Sequence, residues 1–103
     1  MALTAGSAGG IPGLRLRAWA LVSSAGVLQK GDGVASVLKG GAGVYTITMT
    51  GVAPATAPVL DCRSRSSFFG CSGSASVSIS QTINTQNAAG VATDAAFYVA
   101  VYE

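Results

Sequence analysis

Histidine is absent from the 103 residues, which removes Ser-His-Asp and Cys-His catalysis, imidazole metal ligation and a near-neutral acid–base switch together. Cysteine is scarce: Cys62 and Cys71 are the only two, too few for a disulfide framework and with no histidine to share a zinc ion. The plain reading is a pair of buried free thiols. A nine-residue separation also leaves a local disulfide open, provided the strands bring the Cβ atoms to about 3.8 Å. Charge is sparse as well, six basic side chains against four acidic ones. The resulting +2 is too weak a field to argue for nucleic acid or an anionic membrane as partner. No run of residues approaches the ~18 consecutive apolar positions of a spanning helix. The first thirteen residues, MALTAGSAGGIPG, have neither the basic nor the continuous apolar region of a secretory signal, so synthesis in a cytoplasm is expected.

Small side chains fill the space: 18 Ala, 14 Gly and 12 Ser. That composition excludes a helical bundle rich in Leu and Glu. Half the residues are hydrophobic, which excludes the low-hydrophobicity, high-charge composition of disordered chains. The length supports one domain whose core alone gives a modest stability margin. A weakly charged, apolar surface on such a domain points to burial in an assembly.

Hydrophobic periodicity divides the chain. Residues 1–13 carry no period and read as a flexible or attachment arm, leaving 14–103 as the domain. Leu14, Leu16, Ala18, Ala20 and Val22 alternate with Arg15, Arg17, Trp19 and Leu21, the two-residue period of a strand. Trp19 and Leu21 are too large and apolar to face water alone, so this strand is expected to be covered on both faces for part of its length. Further strands are expected at Val27–Lys30, Val34–Lys39, Val44–Met49, Val59–Arg63, Ser74–Ser80 and Ala96–Tyr102. Pro54 and Pro58 make 51–58 a loop, Arg65–Gly73 reads as a polar and aromatic excursion, and Asn84–Gly90 as a loop. About seven short strands with glycine-rich turns predict an all-β fold, a small antiparallel β-sandwich.

Little in this pattern carries chemistry. The carboxylates Asp32, Asp61, Asp94 and Glu103 are scattered, whereas a two-carboxylate hydrolase needs a facing pair. Asp61 and Arg63, two apart on one strand, are expected to form a partly solvated ion pair. Gly31-Asp32-Gly33 and Gly40-Gly41-Ala42-Gly43 lack the strand, loop, helix order of a phosphate cradle and read as hairpin turns. No enzyme activity and no cofactor is expected. The one unusual patch interleaves Arg63 and Arg65 with Phe68 and Phe69. It reads either as a contact surface for a glycan or single strand or as phenylalanines plugging a sheet edge. Asn84, Gln86 and Asn87 add amides suited to sugar hydroxyls. These seven residues are the candidate contact set.

Four segments in order, Arg17-Ala18-Trp19, Gly33-Val34-Ala35-Ser36-Val37, Gly41-Ala42-Gly43-Val44-Tyr45-Thr46-Ile47 and Asn87 to Tyr102 with a late Asp94, resemble a known module. It is the small β-sandwich domain that often ends phage and prophage tail-fibre or virion structural proteins. The resemblance spans about residues 15–102; Val44 and the stretch from Pro58 to Cys71 depart from its pattern. It implies a homotrimer and a virion component that binds without turnover. The place would be a tail-fibre or tail-tip head domain contacting a host-surface glycan or protein, attached to other virion proteins through residues 1–13. A capsid decoration protein is the alternative, and a free lectin-like carbohydrate-binding module a third reading. Neither nucleic acid nor membrane insertion is expected.

Overall fold

The computed structural model describes residues 15–66 and 68–103; the expected arm, Leu14 and Ser67 lie outside them. Among the described residues eight antiparallel strands form two four-stranded sheets. In chain order they are β1 (Leu16–Val22), β2 (Leu28–Asp32), β3 (Val34–Lys39), β4 (Val44–Met49), β5 (Val59–Ser64), β6 (Phe69–Ser74), β7 (Ser80–Asn87) and β8 (Phe97–Tyr102). The first sheet runs β2-β1-β8-β5 and the second β3-β4-β7-β6. The fold is thus all-β and two-layered, as the period of two predicts.

Alternation decides which residues enter the space between the sheets. Ala18, Ala20 and Val22 of β1, Phe97, Val99 and Val101 of β8, Tyr45, Ile47 and Met49 of β4, and Ile83 of β7 are all buried. Tyr45 and Phe97, one from each sheet, pack edge to face with ring centroids 4.9 Å apart. The tyrosine hydroxyl donates to the Ser24 carbonyl at 2.7 Å and accepts from the Ala95 amide at 3.2 Å. Its polar end is therefore satisfied although the residue is fully buried.

The sandwich is closed along both open sides. On one side β2 passes directly to β3 at Gly33, where φ is +75° and a Cβ would lie 2.6 Å from the Arg17 carbonyl oxygen. Only glycine fits there. Gly31-Asp32-Gly33 is thus a corner between sheets and not the hairpin turn the sequence suggests, whereas 40–43 does connect a hairpin, β3 to β4. On the other side, β5 and β6 are the edges of different sheets, and Cys62 and Cys71 are joined by a disulfide with a Cα–Cα distance of 5.8 Å. The expected free thiols are corrected: Cys62 and Cys71 project from facing edge strands into the same gap, so the two sulfurs meet. Leu60 fills the space beside the bridge over Gly73, where a Cβ would come within 2.7 Å of it.

The most regular alternation in the sequence is not a strand. Residues 75–79 form the connection between β6 and β7. Serine hydroxyls there bond the nearby backbone: Ser76 and Ser78 each donate to the Ser80 carbonyl at 3.0 Å, and Ser78 Oγ accepts from the Ser80 amide at 2.9 Å. Buried Gln81 completes the loop, accepting from the Ser76 amide at 2.7 Å and donating to the carbonyls of Ser76 and Ser78 at 3.0 and 2.8 Å. Local side-chain bonds have replaced a ladder. Conversely Phe69–Gly73, within the expected excursion Arg65–Gly73, and Asn84–Asn87, within the expected loop Asn84–Gly90, belong to the paired strands β6 and β7. Cys71, Gln81, Ile83 and Thr85 face in, while Ser72, Thr82, Asn84 and Gln86 face outward.

The loop closed by the disulfide is short, so its chain-entropy contribution is about 2.5 kcal/mol. Replacing both Cys62 and Cys71 by alanine is expected to lower stability by about that amount and the melting temperature by roughly 10 to 20 °C. Urea unfolding of the oxidised, reduced and doubly substituted chains measures this. Tyr45→Phe strands the buried Ala95 amide and is expected to cost about 1–3 kcal/mol in the same assay.

Candidate functional site

Strand directions sort the connections to two ends. Residues 23–27, 40–43, 65–66 with Phe68, and 88–96 lie at one end, where β1, β3, β5 and β7 finish. At the opposite end lie 50–58 and 75–79, together with Arg15 and Glu103, whose backbones exchange hydrogen bonds of 2.8 and 2.9 Å. The described chain therefore enters and leaves at the end opposite the four-loop cluster.

Segments that carry the sequence resemblance prove to be ties within the framework. Asp94 accepts from the Gly43 amide at 2.7 Å and from the Lys39 ammonium at 2.9 Å. Lys39 also donates to the carbonyls of Gly40 and Gly41 at 3.2 and 2.6 Å. Gly43 has φ +67° and sits against the Thr85 carbonyl, which no L side chain permits. Thr85, buried, returns a 2.8 Å bond from its amide to the Gly43 carbonyl and a 2.6 Å bond from its hydroxyl to the Thr93 carbonyl. This knot ties the β3–β4 turn to the chain entering β8. At the other end Arg17 is spent similarly. Its guanidinium pairs with the Glu103 carboxylate and donates to the carbonyls of Thr50, at 2.9 Å, and Val52. Arg15, Leu16 and these partners line an open depression of about 400 Å³.

The candidate contact residues separate into three places. Arg65, Phe68 and Phe69 stay together in the loop cluster. Arg65 and Phe69 line an open depression of about 330 Å³ with Ser66, Ala95 and Ala96. Phe69 is half-buried while Phe68 is 78 % exposed, so the pair does not act as one plug. Asn87, paired with Phe69, is at the same end, but its side-chain oxygen accepts from the amides of Ala89 and Val91 at 2.9 and 3.0 Å and serves the turn. Asn84 and Gln86 belong to the outer face of the second sheet, opposite Ser72 and Gly70. Arg63 is on the outer face of the first sheet, opposite Tyr98. Asp61 shares that face, but the expected ion pair does not form: the salt bridges among the described residues are Arg17–Glu103 and Lys39–Asp94.

What sequence reading missed is the outer face of the first sheet. Trp19, on a strand expected to be covered on both faces, points outward and is 40 % exposed, beside Leu21, Tyr98 and Ala100. Charged residues flank this apolar centre, Lys30 and Asp32 on β2 and Asp61 and Arg63 on β5. The Arg65 guanidinium lies 6.0 Å from the Tyr98 ring. The size of Trp19 and Leu21 signalled a covered face; which charges stand beside them depends on strand pairing. No family model, curated protein or solved structure matches this chain.

The Gly43 amide and the Lys39 ammonium hold the Asp94 carboxyl below its usual 3.8. Because the folded value is the lower one, this tie contributes stability above the unfolded value and loses it as pH falls through the folded one. Urea midpoints measured from about pH 5 to pH 2 should decline, and Asp94→Asn should flatten part of that decline while lowering the midpoint at neutral pH.

Proposed function

We propose that the chain is a non-catalytic component of a bacteriophage virion, a tail-fibre or tail-tip head domain that contacts the host surface. The observation that carries this reading is polarity: the described chain starts and stops at one end of the sandwich, and four loops gather at the other. A domain held from one end presents its far end outward. Phe68 and Arg65 are exposed for contact there, one an apolar ring and the other a cation beside Tyr98. Such a pair suits stacking on a sugar ring or a flat protein surface. Weak individual contacts of this kind gain strength when several copies act together.

The framework ties support the same division of labour. Arg17, Gly43, Tyr45 and Asp94 bond within the fold, so the segments behind the resemblance maintain the scaffold from which Arg65 and Phe68 stand exposed.

Electron microscopy of particles released from the source cell, labelled with an antibody raised against this chain, tests the proposal. Label at the tail end is expected. Label over the shell would make the chain a decoration protein, and unlabelled particles would overturn the virion reading.

A further inference from the structure

The register of the first sheet arranges its outer face in level rows. One row reads Lys30, Leu21, Tyr98, Arg63 across β2, β1, β8 and β5. The next reads Asp32, Trp19, Ala100, Asp61. Each row is apolar in the middle and charged at both flanks, the first basic at each side and the second acidic. All four charged residues are exposed. A continuous apolar centre rimmed by charge is the anatomy of a protein interface.

We infer that this face binds a second copy of the same chain, face to face, about a twofold axis that lies across the strands between the two rows. That rotation keeps each strand over its own copy and exchanges the rows. Lys30 then meets the partner's Asp32, and Arg63 meets the partner's Asp61. In the middle Trp19 covers the partner's Leu21, and Tyr98 covers the partner's Ala100, large against small. Every flank charge finds its opposite, and each contact occurs twice by symmetry.

Other closed arrangements using this face fail on charge. A twofold axis parallel to the strands sets Lys30 on the partner's Arg63 and Asp32 on the partner's Asp61. A threefold axis parallel to the strands, the symmetry that the sequence resemblance implies, also keeps the rows level and brings like charge to like. Four strands about 4.8 Å apart, the longest of seven residues at about 3.3 Å each, give a face of at most roughly 19 by 23 Å. That is smaller than the ~800 Å² per partner of a standard stable complex. The dimer should therefore depend on concentration, and salt should weaken its exposed flank pairs. This twofold turns the loop ends of the two copies in opposite directions, so the pairing rests on strand register alone and is independent of the end-on presentation of the loops.

Light scattering and the emission of Trp19, the only tryptophan, test this on the full-length chain. With rising concentration the mass should climb from 10.1 kDa toward twice that value, and the emission should shift to the blue in step. Arg63→Glu should weaken association by about tenfold or more without changing the melting temperature, and Arg63→Glu combined with Asp61→Arg should restore it. Should the β5 variants fold poorly, Lys30→Glu with and without Asp32→Lys repeats the test on the other flank. A chain monomeric up to about 1 mM, a mass of three chains, or a dimer indifferent to these reversals would overturn the inference.

Discussion

The edge-to-face contact between Tyr45 and Phe97 holds this sandwich together. In a chain where 18 Ala, 14 Gly and 12 Ser leave few large side chains, two rings 4.9 Å apart supply much of the volume between the sheets. The phenol adds direction to that packing. Its hydroxyl reaches Ser24 in the β1–β2 turn and Ala95 before β8, so two connections at the loop end are referred to one side chain. Around it the Asp94–Gly43–Thr85 bonds lock the same end.

Small side chains have a second consequence. Sheets lined by Ala, Gly and Val approach closely but bury little area per residue, and the margin above unfolding is correspondingly thin. The fold offsets this by closing its two open sides, with the Gly33 corner on one and the Cys62–Cys71 bridge on the other. Both devices act on edge strands, where exposed backbone would otherwise invite further pairing.

Function divides along the same geometry. The residues that read as a family-like signature are ties, and the exposed groups lie elsewhere: Phe68 and Arg65 at the loop end, Trp19 and Tyr98 on the outer face of the first sheet. One surface points away from the end where the described chain enters and leaves. The other is apolar in the middle and flanked by charge.

The amino-acid sequence by itself determined the class of fold and most strands, because burial on one side of a strand leaves a period of two that can be read without knowing the partner. β1, β3, β4, β5 and β8 are legible in this way, as is the loop around Pro54 and Pro58. The period misled at Ala75–Ile79, where serine hydroxyls and Gln81 satisfied the backbone locally. It pointed to a loop at Asn84–Asn87, where polar residues form a strand because the neighbouring β6 offers its edge. Only the tertiary structure decided that Cys62 meets Cys71, that Gly43 meets Asp94, and that Lys30, Asp32, Asp61 and Arg63 frame one face. Each of these depends on which strands lie side by side and in what register, and that is set by contacts between residues far apart in the chain.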